Sequence, residues 1–164
     1  MLSLFNNTEA IELIYSFLAD KEAEFCKDMA ENFFMQQQYD LAIFSIVSAK
    51  LKNPQLHGLN NYLNAYMVHK IDSTIKDEWY AVLGIKDHGV GADEIKKRYK
   101  GLAVMIHPDK CSSVAAEGAT KLIIEAWEIL SDARKREAYG RFVMSSSKRS
   151  RKYDSSSPSK RRRY

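Results

Sequence analysis

The sequence predicts an all-α protein. Only 3 prolines and 7 glycines occur among 164 residues, and the alternation of apolar and polar residues that marks β-strands is nearly absent. Long stretches instead repeat apolar residues with the 3.6-residue period of a helix. The expected order is a helical hairpin of about three helices in 1–71, a linker at 72–76, a four-helix domain with an antiparallel central pair at 77–142, and a disordered tail at 143–164.

The first helix is expected to begin at Asn7 or Thr8, whose side chains can accept hydrogen bonds from the free amides of a first turn. The acidic residues Glu9 and Glu12 suit the positive end of the helix dipole. An apolar stripe follows on one face of this helix. Its members are Phe25, Met29, Ala30, Phe33 and Phe34.

A second apolar stripe extends toward Pro54, which prevents this helix from continuing. Its members are Ala42, Ile46 and Ala49. A third helix is predicted over 58–71. Its apolar face comprises Leu59, Tyr62, Leu63, Tyr66 and Met67.

The spacing of small and aromatic residues in the hairpin weakly resembles a single tetratricopeptide repeat. The residues that carry this resemblance are Ala30, Phe33, Tyr39, Ala42, Ile46, Ala49 and Pro54. A self-supporting array needs about three such repeats, and the sequence offers one. The alternative is a generic helical hairpin, because small residues occur at this spacing wherever two helices pack closely.

A rise in polarity at 72–76 marks the predicted domain boundary. The apolar segment "WYAVLGI" follows and ends near Gly84, a residue type suited to helix C-caps. A helix is then predicted over 93–106, and its apolar face comprises Ile95, Tyr99, Leu102, Ala103 and Ile106. The same spacing recurs in Ala119, Leu122, Ile123, Ala126, Trp127 and Leu130. Two such helices should pack as an antiparallel pair, and a last short helix should begin at Ser131 or Asp132.

The net charge of +4 is unevenly distributed. Residues 145–164 contain eight Lys or Arg and one Asp, a net charge of +7, so that 1–144 carry −3. A segment this polar cannot bury apolar surface and is predicted to be disordered. Basic clusters around Ser and Pro suit a nuclear-import signal and would attract phosphates without sequence preference. The candidate residues are Lys148, Arg149, Arg151, Lys152, Lys160, Arg161, Arg162 and Arg163.

The composition indicates neither a metal nor a cofactor. Cys26 and Cys111 lack CxxC or CxxH neighbours and the histidines are scattered, so reduced thiols are expected rather than zinc ligands or a disulfide. No apolar run is long enough to span a bilayer, and the N terminus lacks the pattern of a secretory signal. We therefore expect a nuclear protein, with the cytosol as the alternative, and no membrane partner.

The tripeptide His107-Pro108-Asp109 interrupts the helical pattern. Pro108 removes a backbone donor and favours extended geometry at His107, so the helix over 93–106 must stop here. Asp109 then presents a carboxylate on a rigid turn, beside a helix that carries Lys96, Lys97, Arg98 and Lys100. A rigid carboxylate loses little entropy on docking and suits bidentate contact with a partner arginine. The alternative is a plain inter-helix turn with solvated side chains.

The order of motifs around this tripeptide decides between these interpretations. "WYAVLG", "EIKKRYKGLAVMIHPDK", "EAWEILSD" and "RKREAY" follow one another at helix-scale separations. This succession over 77–142 resembles the J domain of DnaJ-type co-chaperones. The resemblance implies a four-helix domain that stimulates ATP hydrolysis by a DnaK-type heat-shock chaperone, and it implies no bound cofactor.

The resemblance also implies roles for individual residues. His107, Pro108 and Asp109 match the signature that J domains need for stimulation. Lys96 and Lys100, with Lys97 and Lys110 beside them, match a basic docking surface for an acidic face of the chaperone. Arg134, Lys135 and Arg136 match a secondary basic region on the last helix. Core positions are matched by Tyr80, Leu83, Ile95, Tyr99, Leu102, Ala126, Trp127 and Leu130.

Two departures from the family pattern concern the docking helix. Gly101 and Met105 stand where the family usually has basic residues, which implies a weaker or more selective chaperone interaction. Trp127 replaces a common tyrosine. The helices before 77, with "KEAEF", "AENFF" and "YDLA", resemble those of plant J proteins in which a helical segment precedes the J domain. The glycine/phenylalanine linker and the zinc module of full DnaJ-type proteins are absent from these 164 residues.

Three classes of function are compatible with parts of the sequence. The first is a co-chaperone that acts through the J domain. The second is a nuclear nucleic-acid-associated protein that acts through the basic tail, although the rest of the chain is acidic and no aromatic platform is evident. An enzyme is the third, but His107 and Asp109 have no matching nucleophile and no glycine-rich phosphate loop occurs. We therefore expect a protein that stimulates another protein's ATPase without binding ATP.

Overall fold

The structure is a computed structural model that describes the backbone of residues 7–75 and 78–154 and the side chains within 9–75 and 78–143. Within those ranges it contains seven α-helices and no β-strand, so the all-α prediction is confirmed. The helices are α1 Asn7–Met35, α2 Tyr39–Lys52, α3 Leu59–Thr74, α4 Trp79–Val82, α5 Ala92–Ile106, α6 Ala116–Leu130 and α7 Ala133–Asp154. None of them is long and apolar enough to cross a membrane.

Helices α1 and α2 form the predicted hairpin. The turn between them contains Gln37 in the left-handed region, at φ 59°. Asn53, just after α2, donates a hydrogen bond of 2.7 Å to Asp20 of α1, so the two helices run antiparallel and the first turns of α1 extend past the end of α2. The stripe Ala42, Ile46 and Ala49 is fully buried, as predicted.

The predicted stripe of α1 is wrong at Phe25, whose exposed fraction is 65%. The residues that α1 buries completely are Ala23 and Ala30, with Phe33 and Phe34 partly buried beside them. Small residues on this face let α2 approach closely, and Phe25 lies two positions, or about 200°, from Ala23 around the helix. The predicted cap at Asn7 or Thr8 lies outside the described side chains.

Helix α3 lies between the hairpin and the second half of the chain. It runs antiparallel to α2, as the contacts of Lys50 with Asn60 at 2.9 Å and of Lys70 with Asp40 indicate. Leu59, Tyr62 and Tyr66 are buried as predicted, but Met67 is exposed. Because α3 packs against α2 on one side and against α5 and α6 on the other, it buries a second face that contains Ala65 and Val68.

The predicted linker at 72–76 is partly helical, since α3 continues to Thr74. Two hydroxyl groups there, those of Ser73 and Thr74, donate hydrogen bonds of 2.8 Å to the Lys70 carbonyl. Helix α3 also packs closely on α6: a Cβ placed on Gly118 of α6 would lie 2.6 Å from the His69 ring of α3. The two predicted domains are therefore packed directly against each other.

Helices α4 to α7 form the predicted four-helix domain. The antiparallel arrangement of α5 and α6 is confirmed by two contacts. Tyr99 stacks on Trp127 with ring centroids 4.8 Å apart, while Thr120 at the start of α6 donates to the carbonyl of Ile106 at the end of α5. The core between them contains Ile95, Ile106, Ile123, Ala126 and Leu130, all fully buried.

Helix α7 begins as predicted and ends later than predicted. The Asp132 carboxylate accepts hydrogen bonds from the amides of Arg134 and Lys135 at 2.8 and 2.9 Å, which caps the first turn. The helix then continues to Asp154, past the predicted start of the tail at 143. No proline or glycine separates Gly140 from Pro158, and Lys and Arg favour helix. The rest of the predicted tail, 155–164, lies outside the described residues.

Candidate functional site

The candidate site is the turn that joins the central helix pair. His107 adopts an extended conformation, with φ −55° and ψ 134°, and ends α5. The amides of Lys110 and Cys111 both donate to the His107 carbonyl at 2.8 Å. Pro108 has a fixed φ and no amide to satisfy. These features hold residues 107–111 in one compact turn.

The carboxylate of Asp109 points outward from this turn. Its side chain is 87% exposed, and that of His107 is 54% exposed. The Asp109 amide donates to Nδ1 of His107 at 3.1 Å, and the same nitrogen lies 3.6 Å from Oδ2 of Asp109. The backbone and the imidazole ring are therefore held together while the carboxylate remains available to a partner's guanidinium or ammonium group.

The basic residues predicted for docking extend from the turn back along α5. Lys96, Lys97 and Lys100 on α5 and Lys110 on the turn are all exposed. Arg98 instead pairs with Glu94 at 2.9 Å within the helix. Exposed cations thus follow α5 to the turn, where Asp109 adjoins Lys110, although the whole of 1–144 carries a net charge of −3. Such local charge favours an acidic partner.

The two departures from the family pattern lie on one flank of α5. Gly101 and Met105 line a groove of about 540 Å³ that α3 borders through Asn64. The Asn64 amide nitrogen lies 3.7 Å from the Met105 sulfur. Lys96 and Lys100 occupy the opposite flank of the same helix. Lys97 and Arg98 line the same groove, so the two departures lie on a flank that retains cations and that α3 borders.

The secondary basic residues have different surroundings. Arg134 and Lys135 are exposed at the start of α7. Arg136 is half-buried, and its guanidinium donates to the Leu130 carbonyl at 2.6 Å, so it stabilises the end of α6. Four of the import candidates lie in α7, where the structure describes only the backbone: Lys148, Arg149, Arg151 and Lys152. Lys160, Arg161, Arg162 and Arg163 lie outside the described residues.

One part of the site was not predicted from the sequence. The carboxylate of Glu31 on α1 accepts hydrogen bonds from the Ser113 hydroxyl at 2.6 Å and from the Val114 amide at 2.9 Å. The Tyr66 hydroxyl of α3 donates to the same carboxylate. The only hint in the sequence is that Glu31 adjoins Ala30 and Phe33 of the apolar stripe, where a carboxylate needs partners.

The two cysteines do not belong to a cluster of metal-binding side chains among the residues that the structure describes. Cys26 is half-buried and Cys111 is buried, and both are free thiols. Burial raises the pKa of Cys111, which disfavours the thiolate that binds metals and reacts with electrophiles. Among the described side chains, no group of three His, Cys, Asp or Glu residues could hold a metal ion.

Comparison with known proteins identifies the second half of the chain. A family model described as "DnaJ domain" matches residues 78–140. The chain is 46% identical over 67 residues to DnaJ homolog subfamily B member 6 from Gallus gallus. It is 48% identical over 66 residues to Chaperone protein DnaJ from Chlamydia pneumoniae, and 45% identical over 67 residues to DnaJ homolog subfamily B member 6 from Bos taurus.

These matches are confined to part of each protein. They cover 40% of this chain. They span 20%, 17% and 27% of the three relatives, respectively. No solved structure matches the chain. The resemblance of the N-terminal helices to those of plant J proteins therefore stays a prediction.

Proposed function

Because residues 78–140 are a DnaJ domain, we propose that the protein is a co-chaperone that recruits a DnaK-type chaperone and stimulates its ATP hydrolysis. The observation that carries this proposal is the Asp109 carboxylate, 87% exposed on a turn closed by two hydrogen bonds to His107. A structural carboxylate would be expected to cap a helix or pair with a cation. This one is held outward beside exposed lysines.

Each part of the site contributes a different property. Lys96, Lys97 and Lys100 provide long-range attraction that steers an acidic partner toward α5. Asp109 provides a directional acceptor for a partner arginine. Pro108 and the closed turn reduce the conformational entropy that is lost when the partner binds. Stimulation then requires both the charged helix and the turn.

The protein is proposed to act on the chaperone's ATPase without being an enzyme and without a cofactor of its own. A single-turnover assay tests both statements. Purified DnaK-type chaperone loaded with ATP should hydrolyse it faster when the protein is added, in a concentration-dependent manner. The protein alone should show no ATP hydrolysis above background. A chaperone rate that is unchanged at saturating protein would contradict the proposal.

A second role is proposed for the basic C-terminal segment. Its eight Lys and Arg residues give 145–164 a net charge of +7, which suits nuclear import and non-specific attraction to nucleic acid. We propose that the protein is concentrated in the nucleus, with the cytosol as the alternative. This role is separable from the J domain, because the cluster begins after residue 140, where the match to the DnaJ domain ends.

A further inference from the structure

The segment that follows Asp109 is bonded to helices outside the DnaJ domain. Five hydrogen bonds join residues 110–115 to α1 and α3. Asn61 donates to the Lys110 carbonyl at 3.0 Å, and His69 contacts the Ala115 carbonyl at 3.0 Å. Glu31 accepts from both Ser113 and Val114. All of these partners precede residue 78, where the match to the family model begins.

Glu31 is the centre of this contact. Its carboxylate accepts three donors, from Tyr66, Ser113 and Val114. Tyr66 is fully buried, and its burial raises the pKa of the hydroxyl well above the ordinary value, so that it remains a donor. Hydrogen bonds to an ionised acceptor are roughly twice as strong as neutral ones. Glu31 therefore fixes Ser113 and Val114 firmly to α1.

Residues on both sides of Ser112 are held in place by further contacts. Ser113, held by Glu31, accepts a hydrogen bond from the Ala115 amide at 3.2 Å. Cys111 is buried and its amide donates to His107. Lys110, which lies between Asp109 and Cys111, is held at its amide by His107 and at its carbonyl by Asn61. Asp109 is thus a strongly exposed carboxylate, and the residues that follow it, 110–115, are bonded to α1 and α3.

We propose that Glu31 is a positioning residue for the J-domain turn, and that the N-terminal helices hold the turn in the conformation that the chaperone binds. This inference rests on the proposed function. Without Glu31 the turn would be in its competent conformation for only a fraction of the time, and the apparent affinity falls in proportion to that fraction. The rate at saturation should be retained, because Glu31 does not touch the chaperone-binding side chains.

The test compares Glu31→Ala with Glu24→Ala in the full chain. Glu24 lies on the same helix and forms an exposed pair with Lys21, so it controls for loss of a glutamate on α1. The protein concentration for half-maximal ATPase stimulation should rise about tenfold for Glu31→Ala and stay unchanged for Glu24→Ala. Glu31→Gln keeps one acceptor oxygen and should give an intermediate value.

A second readout does not depend on the chaperone. The Val114 amide should exchange its hydrogen faster in Glu31→Ala than in Glu24→Ala, because its acceptor has been removed. If Glu31→Ala fails to fold, Ser113→Ala can replace it, because it removes only one donor to the carboxylate. The protein concentration for half-maximal stimulation should then rise by less than tenfold.

The outcomes separate the two proposals. A folded Glu31→Ala with faster Val114 exchange and an unchanged half-maximal concentration would overturn the positioning role and leave the proposed function intact. Increased stimulation would also overturn it, because the N-terminal helices would then restrain the site rather than position it. If the unmodified protein does not stimulate the chaperone, the proposed function fails and the positioning role fails with it.

Discussion

The Ser113 hydroxyl donates a hydrogen bond of 2.6 Å to the Glu31 carboxylate. Ser113 lies four residues after Asp109 and 82 residues after Glu31. This contact joins the first helix of the protein to the turn of the DnaJ domain. It makes the N-terminal helices part of the surroundings of the candidate site rather than a separate domain.

The first prediction concerns two glycines that lie in different surroundings. Gly101→Ala should raise the stability of α5 by about 1 kcal/mol, because its Cβ would meet open space in a helix. Gly118→Ala should instead destabilise the protein by about 1–3 kcal/mol, since its Cβ would lie 2.6 Å from the His69 ring. That ring is held by Phe34 and by the Ala115 carbonyl. Urea denaturation of both variants measures the difference.

Opposite signs for the two substitutions would confirm the close packing of α3 on α6. Equal stabilisation by both would contradict it, because Gly118 would then behave as an ordinary exposed helix position.

The sequence predicts the features of this arrangement that depend on local interactions and misses those that depend on long-range packing. Helical spacing alone predicts Ala42, Ile46 and Ala49, and capping preferences narrow the start of α7 to Ser131 or Asp132, because those signals are local. Phe25 was placed wrongly, since spacing does not reveal which of two possible faces meets a neighbour. The role of Glu31 could not be predicted at all, because its partners are brought to it only by the packing of α3 between the two halves.

The ends of α3 and α7 differ from the predicted positions for a related reason. Polar residues at 72–76 predict a linker, yet Ser73 and Thr74 form the last turn of α3, where their hydroxyl groups bond to its own backbone. The basic composition after 143 predicts disorder, while α7 extends to Asp154, because Lys and Arg also favour a helix when no proline or glycine intervenes. Composition alone does not distinguish a solvated helix from a solvated coil.

The second prediction concerns the missing cation on α5. Gly101→Arg should accelerate association with the chaperone at low ionic strength, and the gain should fade as salt is added. Gly101→Ala is the matched control, because it gives the same gain in helix propensity without the charge. Stopped-flow association rates measure the effect. If both variants associate at the rate of the unmodified protein, the flank beside α3 does not face the chaperone.

The third prediction concerns the pH dependence of the α7 cap. Amides of Lys135 and Arg134 lower the pKa of Asp132 below its ordinary value. A lowered pKa in the folded state gives stability that is present above about pH 4 and is lost as the pH falls through the folded-state pKa. Asp132→Ala should therefore lower the thermal midpoint at pH 7, and its difference from the unmodified protein should shrink under acid conditions.

Asp132→Asn provides the control, because asparagine is a comparable cap that carries no charge. At pH 7 it should fall between Asp132→Ala and the unmodified protein, because it keeps the cap without the charge. A deficit of Asp132→Ala that is the same at neutral and acid pH would show that the charge of Asp132 contributes nothing to the cap.

The fourth prediction concerns the basic C-terminal segment. Removing 145–164 should leave ATPase stimulation intact and abolish nuclear accumulation, and it should also flatten the salt dependence of nucleic-acid binding. Because the cut falls within α7, a full-length variant with Lys160, Arg161, Arg162 and Arg163 changed to alanine separates loss of charge from loss of helix. Fusion to a large reporter prevents passive entry into the nucleus and makes the distribution interpretable.

A truncated fusion that still concentrates in the nucleus would contradict the import role. Loss of ATPase stimulation on truncation would place part of 145–164 in the docking surface.

The most direct test of the account is single-turnover ATP hydrolysis by a DnaK-type chaperone in the presence of Asp109→Asn. We expect that stimulation is lost while the thermal midpoint stays within about 2 °C of the unmodified protein, because an 87% exposed side chain contributes little to folding. Asp87→Asn is the control, because Asp87 is likewise an exposed loop aspartate; its carboxylate accepts a hydrogen bond from the Gly89 amide. The Asp87→Asn variant should stimulate normally. Full stimulation by Asp109→Asn would contradict the proposed role of the turn, and unfolding of that variant would show that the turn is structural.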